Sequence, residues 1–87
     1  MKFIHSREYL NAGDTVRLNS DTRCNFMITT DGNFSFFRNG EDFDYYGGHF
    51  KSFPAFITAP HSGYWNITID PGLGSASIRY GLSKIAA

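Results

Sequence analysis

The sequence predicts an all-β protein: a single compact antiparallel sandwich or barrel, jelly-roll-like, with about six to eight short strands. Three observations lead to this fold class. Apolar and polar side chains alternate with a period of two, which puts one face of each strand in a core and the other in water. Turn-forming residues interrupt these runs about every 8–12 residues, as in sandwiches and barrels. Aromatic residues make up 17% of the 87 residues, and their rings fill a thin core efficiently.

The alternation also predicts which side chains of each strand point inward. The segment 2–10 fits a strand, although Phe3, Ile4, Arg7 and Leu10 would also fit one face of a helix. The inward residues of the next strands are Val16 and Leu18, then Cys24, Phe26 and Ile28, then Trp65, Ile67 and Ile69, and finally Ala76, Ile78, Tyr80 and Leu82. The residues predicted to face water between them include Asn25, Met27, Thr29, Asn66, Thr68 and Asp70.

Glycine, asparagine, aspartate and proline mark the breaks between strands. Asp31-Gly32 is predicted as a turn, Gly47-Gly48 as a hairpin turn or bulge, and the segment 71–75 as a hairpin loop. The segment 33–38 is predicted to form one helical turn before Gly40. No linker or repeat divides the chain, so residues 1–87 are expected to form one domain.

Composition excludes several classes of protein. Eight basic and eight acidic residues cancel, and the basic residues are scattered, so no nucleic-acid partner is expected. Cys24 is the single cysteine, which rules out an intrachain disulfide and favours a reducing, cytoplasmic location. Charges near the amino terminus do not fit a signal peptide, and no apolar run approaches the roughly 20 residues that span a bilayer. A soluble protein without membrane contact is therefore expected.

Several short motifs recur in an order that resembles a known family. They are Asn33-Phe34-Ser35, Arg38-Asn39-Gly40, Tyr45-Tyr46-Gly47-Gly48, the run from Ser62 to Asp70, and Gly74-Ser75-Ala76, together with the run from Glu8 to Asp14. On these motifs the chain resembles the bacterial domain of unknown function 1883. The resemblance implies an all-β fold and a bacterial source, and it brings no catalytic residues. Some members are joined to TIR domains, which implies a sensing or adaptor role.

An excess of aromatic residues between positions 34 and 56 predicts a binding surface. Adjacent side chains of a strand face opposite sides, so one ring of Tyr45 and Tyr46 should leave the core. Exposed tyrosines beside Asp, Asn and His suit stacking on sugars or bases, or a protein interface. The predicted ligand-binding residues are Tyr45, Tyr46, His49, Arg38, His61 and Tyr64. The favoured function is a non-catalytic binding or protein-interaction module, for a protein partner or a small ligand.

Two other functions remain open from the sequence. One is a small enzyme that uses His49 or His61 with a nearby aspartate, which an open cleft with both groups in contact would support. The other is a structural subunit that forms a homodimer through an edge strand. Neither the spacing of the three histidines nor any loop fits a metal site, so no metal, cofactor or catalytic residue is predicted.

Overall fold

The computed structural model describes residues 3–72 and 78–87, which form seven strands and one helix. The strands are β1 (Ile4–Leu10), β2 (Thr15–Ser20), β3 (Cys24–Thr29), β4 (Tyr46–Phe50), β5 (Ala55–Thr58), β6 (Gly63–Asp70) and β7 (Tyr80–Ile85), and the helix is α1 (Asp31–Arg38). They build a four-stranded sheet of order β1-β6-β3-β4 and a three-stranded sheet of order β5-β2-β7, with antiparallel pairing throughout. The predicted sandwich is confirmed.

The main core lies between the two sheets and includes the predicted inward side chains of β2, β3 and β6, whereas Tyr80 of β7, also predicted to point inward, is 46% exposed. Its buried members are Leu10, Val16, Leu18, Cys24, Phe26, Ile28, Ala55, Ile57, Ala59, Trp65, Ile67 and Ile69. Burial raises the pKa of the Cys24 thiol, as expected for a small core residue. The segment 2–10, which also fitted a helix, is a strand from Ile4 onward.

Helix α1 begins where β3 ends, because Thr30 caps it. The Thr30 side chain accepts a hydrogen bond from the backbone N–H of Asn33, and Asp31 places a negative charge in the first turn. The helix ends at Arg38, and Gly40 follows with a φ of 73°, in the left-handed region that favours glycine. The predicted helical turn is therefore confirmed and extended to eight residues, whereas the predicted turn at Asp31-Gly32 is wrong.

The helix covers the outer face of the four-stranded sheet and creates a second, smaller core. Phe34 and Phe37 from the helix pack with Met27 of β3, and Phe3 and Phe43 flank them. As a result the sheet is buried on both sides beneath the helix. Met27, Thr29, Asn66 and Thr68, which alternation predicted to face water, are buried instead. The alternation itself is correct, but it cannot show that a helix will cover the polar face.

A polar network fastens the start of the helix to the sheet. Arg7 of β1 forms two hydrogen bonds with the Asp31 carboxylate, at 3.0 and 2.8 Å. The buried Asn66 amide of β6 donates to the same carboxylate at 2.8 Å, while its Oδ1 lies 2.8 Å from Nε2 of His5. Because this oxygen can only accept, Nε2 of His5 carries the hydrogen. The imidazole of His5 also stacks on Phe34, with ring centroids 4.1 Å apart.

Of the two glycine-rich segments predicted as turns, one is contradicted by the structure and the other lies mostly outside the described residues. Gly47 and Gly48 lie inside β4, opposite Met27 and Phe26 in unbroken register, so the predicted hairpin turn or bulge is wrong. Gly47 has a φ of 112°, and a Cβ there would meet the carbonyl oxygen of Phe26. Residues 73–75 of the predicted loop 71–75 lie outside the described residues, as does Ala76, which was predicted to point inward.

The network around Asp31 predicts a specific loss of stability in acid. Hydrogen bonds from Arg7 and then Asn66 lower the pKa of Asp31 from 3.8 to about 2. Because this pKa is lower in the folded than in the unfolded chain, ionised Asp31 stabilises the fold above about pH 4, and the contribution disappears as the pH falls to about 2. Asp31→Asn should lower the free energy of unfolding at neutral pH and flatten its dependence between these values, measured by urea denaturation.

The matched control is Asp42→Asn, which changes an exposed carboxylate in the loop after the helix. Its stability should fall with acid in parallel with the unaltered protein. An Asp31→Asn protein with the same acid dependence as the unaltered protein would show that the network does not stabilise the fold.

Close packing at Gly47 predicts that this position accepts no side chain. In Gly47→Ala the new Cβ would lie 2.7 Å from Cδ1 of Ile57 as well as against the Phe26 carbonyl oxygen, at a φ of 112°. The backbone conformation alone costs roughly 1–3 kcal/mol for a non-glycine residue. Gly81→Ala in β7 is the control, because a Cβ there meets no atom within 4 Å. Urea denaturation should show a large loss of stability for the first variant and little for the second; equal effects would contradict this account.

Candidate functional site

An open cleft of about 350 Å³ lies at the end of the sandwich where β3 leads into α1. The last residues of β3 and the first turn of the helix form one wall. The loop before β4, the start of β4 and the loop before β6 form the others. The lining residues are Ile28, Thr29, Thr30, Asn33, Asp44, Tyr45, Tyr46, His61 and Trp65. We call this the aromatic cleft.

Trp65 fixes two of the aromatic side chains of the cleft. Its indole is 1% exposed, and its Nε1 donates a hydrogen bond to the carbonyl oxygen of His61 at 3.1 Å. The ring of Tyr46 meets the indole edge-on, with centroids 5.7 Å apart, and the His61 imidazole lies 4.8 Å from it at a tilt of 40°. Tyr46 nevertheless stays 47% exposed. The cleft therefore presents the rings of Tyr46 and His61, which are held in place by their contacts with the buried indole of Trp65.

Tyr45 extends the aromatic surface toward the helix. It is half exposed, and its ring lies 5.3 Å from that of Phe43, which in turn contacts Phe37 of the smaller core. Adjacent tyrosines at the start of a strand should face opposite sides, yet both line this cleft. Tyr45 lies just before β4 begins at Tyr46, so the strand alternation does not apply to it.

Asn33 connects the helix to the loop that carries Asp44. Its side-chain Oδ1 accepts a hydrogen bond from the backbone N–H of Asp44 at 3.0 Å, and its Nδ2 donates to Oγ1 of Thr30 at 3.1 Å. The same Thr30 oxygen caps the helix. These bonds hold Asp44, whose side chain is exposed, beside the two tyrosines. The cleft thus combines aromatic rings with an exposed carboxylate whose backbone is held in place.

Thr29 also lines the cleft, but its hydroxyl oxygen is buried and not accessible to solvent. The residue is 1% exposed, and its hydroxyl has no hydrogen-bond partner among the described residues. Buried hydroxyl groups are nearly always hydrogen-bonded, to protein, water or ligand. The Thr68 hydroxyl likewise has no partner within the described part of the chain, but Thr68 does not line this cleft.

The charge of the cleft limits what it can bind. Asp44 contributes a carboxylate, and the described lining contains no lysine or arginine. Phosphate groups are bound mainly by arginine, lysine and helix amino-terminal amides. The first turn of α1 lines the cleft, but there Thr30 already accepts a hydrogen bond from the Asn33 N–H and Asp31 adds a negative charge. A neutral ligand therefore matches this lining better than a nucleotide or another anion.

The six predicted ligand-binding residues do not form one site. Tyr45, Tyr46 and His61 meet in the aromatic cleft. His49 lines a neighbouring groove of about 380 Å³ that shares Tyr45 with the cleft.

Arg38 and Tyr64 lie elsewhere. Arg38 ends the helix, with its guanidinium carbon 5.9 Å from the centre of the Phe34 ring. Tyr64 lies on the outer face of β6, where the Arg7 guanidinium carbon is 4.1 Å from its ring centre and Tyr9 contacts it edge-on.

Sequence reasoning missed the polar half of the cleft, namely Thr29, Asn33 and Asp44. One signal was available, since Asn33 follows Thr30 by three residues, the spacing of a capped helix start. Nothing in the local sequence indicated that Asn33 would reach across eleven residues to bind the backbone of Asp44.

The enzyme alternative required a histidine and a carboxylate in contact within a cleft. His61 and Asp44 share the aromatic cleft, but Nδ1 of His61 lies 3.3 Å from the Ser62 carbonyl oxygen. Within residues 3–72 and 78–87, the one ion pair joins Arg7 to Asp31. No group of three or more His, Cys, Asp or Glu side chains in that part of the chain could hold a metal ion.

Comparison with known proteins bears on the family and not on the site. The helix in the described part of the chain is too short to cross a membrane. Searches of curated proteins and of solved structures found no match. The profile of the family described as Domain of unknown function (DUF1883) matches residues 1–85. Because this match extends over almost the whole chain, the protein belongs to that family.

Proposed function

We propose that the protein is a non-catalytic binding module that holds a neutral sugar ring in the aromatic cleft. The observation that carries this proposal is the meeting of exposed aromatic rings and an exposed carboxylate in one open cleft. A sugar ring needs such a mixed surface, because it has an apolar face of C–H groups and a rim of hydroxyl groups.

The aromatic half of the cleft suits the apolar face of the sugar. Tyr45 and Tyr46 each expose about half of their surface, and Trp65 and Phe43 contact their rings from behind. Rings already held in place lose little conformational entropy when a ligand stacks on them. This arrangement supports binding without a large rearrangement of the cleft.

The polar side of the cleft suits the hydroxyl groups at the rim of the sugar ring. The exposed Asp44 carboxylate can accept hydrogen bonds from two neighbouring sugar hydroxyls. A site that hydrogen-bonds hydroxyl groups discriminates strongly against analogues that lack them, because its own polar groups are then left unpaired. The lack of lysine and arginine in the described lining favours an uncharged sugar over a sugar phosphate.

The proposal places this module in the cytoplasm of a bacterium, in line with the expectation from a single cysteine. Cys24 is free and fully buried in the core. A protein partner, a His–Asp enzyme and a dimer joined through an edge strand remain alternative predictions. The sugar proposal ranks above them because it uses the concave shape and the chemistry of one cleft together.

The test is an NMR titration with glucose, galactose, mannose and N-acetylglucosamine at up to tens of millimolar. At least one sugar should shift the backbone resonances of the cleft segments, 28–33, 44–46 and 61–65, and raise the melting temperature, because it binds only the folded protein. Tyr45→Ala and Asp44→Asn should each weaken binding about tenfold, which corresponds to about 1.4 kcal/mol.

Matched controls exist outside the cleft. Tyr80→Ala removes a tyrosine of similar exposure from β7, and Asp42→Asn neutralises a carboxylate two residues from Asp44. Both should bind as the unaltered protein does. The proposal is wrong if no sugar of the panel shifts the cleft resonances, or if the control variants weaken binding as much as the cleft variants.

A further inference from the structure

The two sheets meet closely on one side of the sandwich and leave a gap on the other. On the side of β4 and β5, Gly47 lies against Ile57, and Phe50 and Phe53 pack onto the core. On the opposite side, the edge strands β1 and β7 belong to different sheets. A cleft of about 260 Å³ opens there, separate from the aromatic cleft. We call it the inter-sheet cleft.

The floor of the inter-sheet cleft is apolar. Leu10, Val16 and Ile67 belong to the main core, and the half-buried Leu82 of β7 completes the floor. The cleft therefore offers aliphatic contacts to a ligand that enters between the edge strands. Its volume is below the roughly 300–1,000 Å³ of pockets that hold drug-sized ligands, which indicates a smaller occupant.

Two opposite charges point into this cleft from the two edges. Glu8 lies directly opposite Trp65, and Lys84 lies directly opposite Val16. Residues opposite each other in an antiparallel pair share a face of the sheet, so both charged side chains lie on the core-facing side. Both residues are exposed and line the cleft. The Ser6 hydroxyl donates to Oε2 of Glu8 at 3.0 Å and orients that carboxylate.

These charges are available to a ligand. In the described part of the chain neither Glu8 nor Lys84 forms an ion pair. Within the described residues, Lys84 interacts electrostatically with Asp14. Its two carboxylate oxygens, however, accept hydrogen bonds from the backbone N–H groups of Asn11 and Ala87. A carboxylate on one rim and an ammonium group on the other thus face each other across an aliphatic floor.

We propose that the inter-sheet cleft binds a free α-amino acid with an aliphatic side chain. Glu8 binds its ammonium group, Lys84 binds its carboxylate, and Leu10, Val16 and Ile67 contact its side chain. Only a ligand that carries both charges beside an aliphatic group matches all three features. Inward-facing charges on edge strands also protect a sheet from pairing with another chain, and the experiment separates this role from binding.

The experiment titrates the protein with L-leucine and with analogues that each lack one feature, using calorimetry and NMR. 4-Methylpentanoate lacks the ammonium group, 3-methylbutylamine lacks the carboxylate, and L-serine lacks the aliphatic side chain. Leucine should shift the resonances of 6–10 and 82–84, and each analogue should bind at least about tenfold more weakly. Glu8→Gln should abolish the preference for leucine over 4-methylpentanoate, and Lys84→Gln the preference over 3-methylbutylamine.

The controls are Glu41→Gln and Lys51→Gln, which change exposed charges away from the inter-sheet cleft and should leave all preferences unchanged. Three results would overturn the proposal. The first is that N-acetyl-leucine methylamide binds as tightly as leucine, which would identify the occupant as a peptide strand. The second is that leucine does not bind; if Glu8→Gln then also increases self-association, the charges serve to protect the edges. The third is that leucine binds equally to Glu8→Gln and to the unaltered protein, in which case the charged rim plays no part.

Discussion

The attachment of the helix to the four-stranded sheet is the constraint on which the layered arrangement of this protein depends. Asp31, the first residue of the helix, receives hydrogen bonds from Arg7 on one strand and Asn66 on the neighbouring strand. The helix has only eight residues, too few to be stable alone in water. The charged contact and the phenylalanines below it hold the helix on the sheet, and the position of the helix then places Thr30 and Asn33 in the aromatic cleft.

Period-two alternation predicted the core between the sheets well, because Val16, Phe26 and Ile67 depend only on strand geometry. It failed on the opposite face of the same strands. Thr68 and Thr29 are polar, and a polar residue beneath a helix looks in sequence like a polar residue in water. What covers a sheet is decided by contacts between segments far apart in the chain, and a local pattern does not contain them.

The candidate site shows the same division. Tyr45 and Tyr46 could be predicted, because aromatic residues beyond the needs of a small core indicate a surface. His61 joins them only because strand pairing brings the start of β6 beside the start of β4, through β3 between them. His49 and Tyr64 had equally suitable side chains, but strand direction and register place them on other surfaces. Residue type indicates suitability for binding, whereas register decides which residues meet.

The position of β3 determines which strands can separate from the sheets by local unfolding. β3 lies between β6 and β4, with the main core on one face and the helix on the other. β7, in contrast, is an edge strand with mostly exposed side chains. Local opening is easiest where few buried contacts must break. We therefore expect amide protons of β7 to exchange with solvent through fraying of that edge, and those in the middle of β3 to exchange only when the whole domain unfolds.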